Sequence, residues 1–162
     1  MDYSRGRVRR SLQERRPLEL SARVGGRNRI ARPRVLVVED DESVARMLHI
    51  ALSAAGFDSM EARTGGEALD ILGRDPLDAV ILDLVLPDGL GGSVLEWLRR
   101  APTHTTPVHV VMSALERKEA TAQFGELGED FFAKPFDPWD LVGRLDQLLE
   151  SKGTQAREGE RL

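Results

Sequence analysis

Three short runs rich in β-branched residues, Arg34-Val-Leu-Val-Val38, Ala79-Val-Ile-Leu82 and Val108–Met112, constrain the fold of this chain more than any other feature. The first two are apolar without polar alternation, so such a strand is covered on both of its faces. A segment with apolar residues at helical spacing follows each. Asp41–Ala55 places Val44, Leu48, Ala51, Leu52 and Ala55 on one helical face and stops at Gly56. Ser93–Arg100 does the same with Val94, Leu95 and Leu98. Between and beyond them lie a strand with less apolar support (Ser59–Ala62), a short helix (Glu67–Leu72, with Ala68, Leu69 and Leu72 inward), a polar helix (Arg117–Phe124) and a short strand (Phe131–Ala133). Pro138–Leu149 closes the series as a helix, with Pro138 in its first turn and Leu141, Leu145, Leu148 and Leu149 inward. With the second buried strand taken as Asp78–Leu84, this makes five strand–helix units. They predict an α/β fold, a doubly wound parallel sheet with helices on both faces and right-handed crossovers.

Charge divides the 162-residue chain. Residues 1–33 hold ten arginines against Asp2, Glu14 and Glu19, a surplus of seven positive charges; the whole chain carries −4, so residues 34–162 carry −11. The first segment lacks a regular apolar period, and Gly25-Gly26 and two prolines interrupt it. It cannot bury enough surface to offset the entropy of ordering, and reads as a basic, disordered arm. From Ser151 the chain turns polar and reads as a flexible tail, which leaves one domain at about 34–150. There are no cysteines, which excludes thiol catalysis and cysteine-ligated metals. The three histidines (His49, His104, His109) are scattered, and no apolar run approaches the ~20 residues of a membrane span. No signal peptide is visible, so the expected setting is cytoplasmic, with no membrane partner.

In a doubly wound sheet the site forms at the carboxyl ends of the strands. Glu39, Asp40, Asp41 and Glu42 follow the first strand, Asp83 ends the second buried strand, Ser113 follows the third, and Lys134-Pro135 follows the last. The topology therefore converges carboxylates, a hydroxyl and an ammonium on one crevice. Clustered carboxylates repel, and a hard divalent cation relieves the repulsion. Mg²⁺ takes one or two protein carboxylates, keeps waters and favours phosphate oxygens. With an aspartate as nucleophile, such a set can form an acyl phosphate. Asp83 inside an apolar strand is hard to explain structurally, whereas Asp41 and Glu42 suit a helix start. Trp97 and Trp139 read as packing residues, and His49 as the exposed face of its helix.

The stretches Val37-Val-Glu-Asp-Asp41, Leu82-Asp-Leu-Val-Leu-Pro-Asp-Gly89, Met112-Ser-Ala114 and Phe132-Ala-Lys-Pro-Phe136 together resemble the receiver domain of two-component response regulators. Asp40, Asp83, Ser113 and Lys134 stand 43, 30 and 21 residues apart, as in that family. The resemblance covers about 34–150 and implies a flavodoxin-like (βα)5 fold with five strands in the order 2-1-3-4-5. It implies Asp83 as phosphoacceptor, Mg²⁺ held by Asp40, Asp83 and the Val85 carbonyl with Glu39 acting through water, Ser113 as switch hydroxyl and Lys134 as phosphate partner. Phe131 stands where the family carries a switching aromatic, and the Lys134–Pro135 bond is expected to be cis. It also implies that Val85 and Leu115 flank the path of the water that removes the phosphoryl group; both are apolar, so the phosphorylated state should be long-lived. Three departures stand out. Glu39-Asp40 replaces a pair of aspartates, Ser113 a threonine, and the turn Gly128-Glu-Asp-Phe131 is about one residue short with Glu129 for a usual alanine.

The function implied is that of a stand-alone response regulator in a His–Asp relay, not an enzyme. A histidine kinase or phosphotransfer protein donates the phosphoryl group, and a downstream protein reads the change. A haloacid-dehalogenase-type phosphatase would need a second aspartate two residues after the nucleophile, where Val85 stands. The other alternative is a nucleic-acid-associated regulator whose ten arginines contact phosphates. It is less favoured than a solvated tail, a translation-start artefact or an arm lying on the acidic domain, and with only Tyr3 to stack on bases a single-strand platform is not indicated.

Overall fold

A computed structural model of the chain describes residues 32–101, 106–127 and 130–159. Most of the arm and the turn at Gly128-Glu129 lie outside the described residues. Strands β1 (Arg34–Val38), β2 (Asp58–Ala62), β3 (Ala79–Asp83), β4 (Val108–Ser113) and β5 (Phe131–Ala133) alternate with helices α1 (Glu42–Ala54), α2 (Gly65–Arg74), α3 (Gly91–Arg100), α4 (Arg117–Phe124) and α5 (Pro138–Gly159). The strands form one sheet in the order β2-β1-β3-β4-β5, with every pairing parallel. This is the expected flavodoxin-like (βα)5 arrangement.

The apolar runs explain the layering. All five residues of β3 are buried, and side chains alternate between two separate cores. Leu36, Val38, Val80, Leu82 and Val111 pack under α2, α3 and α4 through Ala68, Leu72, Val94, Leu95, Leu98 and Ala120. Val35, Val37, Ala79, Ile81, Val110 and Met112 pack under α1 and α5 through Leu48, Ala51, Leu52, Leu141, Val142 and Leu145. The Asp41 side chain caps α1 by accepting from the amides of Ser43 (2.9 Å) and Val44 (3.1 Å), as its position predicts. Thr64 caps α2 through the Glu67 amide. Glu116 and Glu119 form a reciprocal capping box on α4, whose one buried residue is Ala120.

Two expectations are corrected. Residues 151–159 are not a loose tail: α5 runs on to Gly159. No proline stops it, the hydroxyls of Ser151 and Thr154 bond to the carbonyls of Gln147 and Glu150, and Lys152 reaches the Thr106 carbonyl. Extending a formed helix costs far less than starting one. On α1 Leu48, Ala51 and Leu52 are buried as expected and Val44 and Ala55 pack half-buried against the same core, with Ala45 also buried because the apolar stripe is broader than a single row. Trp139 is exposed at the start of α5 rather than packed; Trp97 does pack against the α2–α4 core. His49 is exposed as expected, and it bonds to the Ser59 hydroxyl.

Candidate functional site

The winding reverses between β1 and β3, and the crevice at their carboxyl ends holds the chemistry. Glu39 continues the ladder past β1, its amide donating to the Ala62 carbonyl (3.0 Å). Asp83 is the last residue of β3 and Ser113 the last of β4. Lys134 follows β5, and its amide donates to the Ser113 carbonyl (2.8 Å), so the ladder places it as firmly as a strand residue. Glu39, Asp83 and Ser113 are buried at 1%, 3% and 0% exposure, whereas Asp40 is exposed.

Lys134 organises the centre. Its Nζ donates to Glu39 Oε2 (2.6 Å) and to Asp83 Oδ2 (2.8 Å). The remaining oxygens are held by backbone: Asp41 N–H donates to Glu39 Oε1 and Val85 N–H to Asp83 Oδ1, both at 2.9 Å. Among the described residues no buried side-chain polar atom lacks a hydrogen-bond partner. Burial pushes the Glu39 carboxyl up to about 7, against the hydrogen bonds from Lys134 and the Asp41 amide, with the nearby Asp83 charge adding to the rise. Burial works against the charge on Lys134, but its bonds to Asp83 and Glu39 outweigh it and hold the ammonium above its ordinary value.

The fit to a divalent cation can be tested on this geometry. Glu39, Asp40 and Asp83 each offer a carboxylate oxygen, all within 4.8 Å of one another. Three carboxylates against one ammonium leave excess negative charge, and the donors are hard oxygens. That set suits Mg²⁺. Asp83 keeps slightly more of its side chain exposed than Glu39 (5% against 0%), and half-exposed Val85 stands two residues on (48% exposed).

Ser113 Oγ accepts from the Leu115 amide (3.1 Å), and Leu115 packs against the α2–α4 core. Phe131 packs against the same core, and the Arg117 guanidinium lies 5.1 Å from its ring centroid. The Lys134–Pro135 bond is cis, as expected. The structure thus brings Glu39, Asp40, Asp83 and Lys134 together and puts Ser113 on the adjacent strand end. Sequence reasoning missed Arg117 over Phe131 and the ties made by Asp88. The first has no sequence signal, since the two lie on different elements. The second had one: Asp88-Gly89 is a turn motif inside a quoted stretch.

Fold and crevice define a receiver domain. The family model described as the response regulator receiver domain matches residues 35–146. The chain belongs to that family. Among curated relatives, the transcriptional regulatory protein GltR of Pseudomonas aeruginosa is 33% identical over 129 residues, covering 78% of this chain and 53% of its own. The transcriptional regulatory protein CpxR of Escherichia coli K12 is 36% identical over 118 residues, covering 72% and 49%. The chain therefore spans about half the length of these relatives. Among solved structures, the receiver domain of the Francisella response regulator 1452 superposes with a TM-score of 0.64 at 28% identity, covering 74% of this chain and 98% of that one. A CheY-like receiver from Methanospirillum hungatei gives 0.66 at 22% identity, covering 77% and 99%, a likeness of fold. No helix among the described residues is long and apolar enough to cross a membrane.

Proposed function

We propose that this chain is a phosphorylatable receiver that accepts a phosphoryl group on Asp83 from a histidine kinase or phosphotransfer protein in the cytoplasm. The observation that carries this reading is the setting of Asp83: buried at a strand end, one oxygen on the Lys134 ammonium, the other on the Val85 amide, beside Glu39 and Asp40. An Asp83 oxygen attacks phosphorus, the bond from phosphorus to the donor's imidazole nitrogen breaks, and that nitrogen takes up a proton. Asp40, Asp83 and the Val85 carbonyl would hold Mg²⁺, with Glu39 acting through water, and the ion would supply neutralisation of the phosphoryl oxygens. Lys134 moves from the carboxylates to the new phosphoryl oxygens. Ser113 donates its hydroxyl to the same group, and Phe131 follows, changing the partner affinity of the face formed by α4, β5 and α5. Val85 and Leu115 offer no polar atom to orient an attacking water, so hydrolysis is slow.

The test is labelling by acetyl phosphate with Mg²⁺, read by intact mass in wild type and Asp83→Asn. Label in wild type alone is expected; label persisting in the variant removes Asp83 from the central role.

A further inference from the structure

Asp88 lies in the loop between β3 and α3, away from the carboxylate cluster, and its carboxylate collects three backbone amides. Oδ1 accepts from Gly65 (3.1 Å) and Leu90 (3.2 Å), and Oδ2 accepts from Gly66 (2.9 Å). Gly65 and Gly66 open α2, so Asp88 satisfies two of the amides that a helix start leaves without partners, while Thr64 takes a third. These bonds, Gly66 first, hold its carboxyl below the usual carboxylate value.

The loop is pinned at further points as well. The Gly89 amide donates to the Leu86 carbonyl (3.0 Å), and Gly89 adopts φ +72°, which closes a tight turn. A Cβ on Gly91 would lie 2.1 Å from the Leu84 carbonyl oxygen, and one on Gly65 would lie 2.5 Å from Leu90 Cβ. Backbone of the loop's two ends and of α2 is thus in direct contact. Val85 is the exception: its side chain is half-exposed, so little packing sets its backbone. Yet its amide holds Asp83, and its carbonyl is the cation ligand in the function proposed above.

We propose that Asp88 is a positioning residue for the cation site: by fastening loop 84–90 to the start of α2, it fixes the Val85 backbone against Asp83. The inference rests on the proposed function for the role of the Val85 carbonyl, but the clasp itself does not.

The experiment titrates Mg²⁺ alone into the full chain by calorimetry, in wild type, Asp88→Ala, Asp88→Asn and Thr64→Ala. Amide hydrogen exchange at Val85 is followed in the same four proteins. Thr64→Ala removes the other cap of α2 without touching the loop, and so reports what simple loss of stability does. Asp88→Ala should weaken Mg²⁺ binding by about 10-fold, the scale of an outer partner of a ligand, and speed exchange at Val85. Asp88→Asn keeps one accepting oxygen and should fall between; it also serves if the alanine variant does not fold. Thr64→Ala should lower the melting temperature while leaving the Mg²⁺ affinity unchanged. Wild-type Mg²⁺ affinity in both Asp88 variants, or equal weakening in Thr64→Ala, overturns the proposal. If wild type binds no Mg²⁺, the functional reading fails; the clasp is then decided by Val85 exchange, which must quicken in Asp88→Ala and not in Thr64→Ala.

Discussion

A single ammonium separates two buried carboxylates, and most of the chemistry argued above turns on it. Removing Lys134 leaves Glu39 and Asp83 in the crevice with backbone partners only. The cost of an uncompensated buried charge is about 3 kcal/mol, but Glu39, already raised to about 7, can take a proton instead. Lys134→Ala should therefore fold with a lowered melting temperature that Mg²⁺ partly restores, and should fail to take label from acetyl phosphate. Melts with and without Mg²⁺, beside labelling, check this; a variant that labels normally would leave Lys134 a structural bridge. His109 makes a second case. Burial on β4 holds its imidazole below the ordinary value, and the Arg99 charge adds to this while Asp130 opposes it. The folded state thus binds the proton less readily than the unfolded chain. The contribution is full above pH 6.5 and is lost as the pH falls through the lower folded value. Wild type should lose more stability between pH 7.5 and 5.5 than His109→Gln, as melts at the two values will show. The apolar pair offers a third. Val85→Asn with Leu115→Glu supplies polar groups that can hold a water, and loss of label should quicken, timed by mass; an unchanged rate rejects the gating role of the pair.

At the scale of elements, local signals and tertiary ones parted company in instructive places. The strand ends that build the crevice were legible, because an acid or a lysine directly after an apolar run has few structural excuses. The start of α1 was legible for the same local reason: Asp41 accepts from its first amides, whereas α2 and α3 each begin two residues before the expected Glu67 and Ser93. Asp41→Ala should cost about 1 kcal/mol in denaturant melts and leave labelling intact. The ends of α3 and α4 fall at Arg100 and Phe124 as expected, but the end of α5 was not legible. Nothing local distinguishes Leu149 from the nine helical residues from Ser151 on, whose support includes the Lys152 bond to Thr106 on another part of the chain. Val142 is buried although the sequence reading named only the leucines around it, since one row of residues understates a face. Trp139 failed as a packing residue because its size, not its place in the first turn, carried the expectation. Asp88 was on view in a motif, but two of its three partners lie more than twenty residues upstream, and no spacing rule reports such a contact.

For the molecule as a whole, both cores, among the described residues, begin at β1 and draw on residues after Pro33. A protein lacking residues 1–31 should melt within a degree or two of the full chain and respond to Mg²⁺ alike, since surface changes away from such features move stability by no more than about 0.5 kcal/mol. Binding of a labelled duplex by the two proteins separates the readings of the arm. Equal affinity is expected; a salt-sensitive loss on truncation would favour the nucleic-acid-associated alternative.

Phe131 and Phe132 are neighbours in the chain, yet the first faces the layer of α2, α3 and α4 and the second the layer of α1 and α5. A three-residue strand thus has one listener on each side of the sheet. A change under either layer therefore meets one of these rings first and reaches the opposite layer through the sheet, so the shortest strand of the fold is also the place where its two flanks come within one residue of each other.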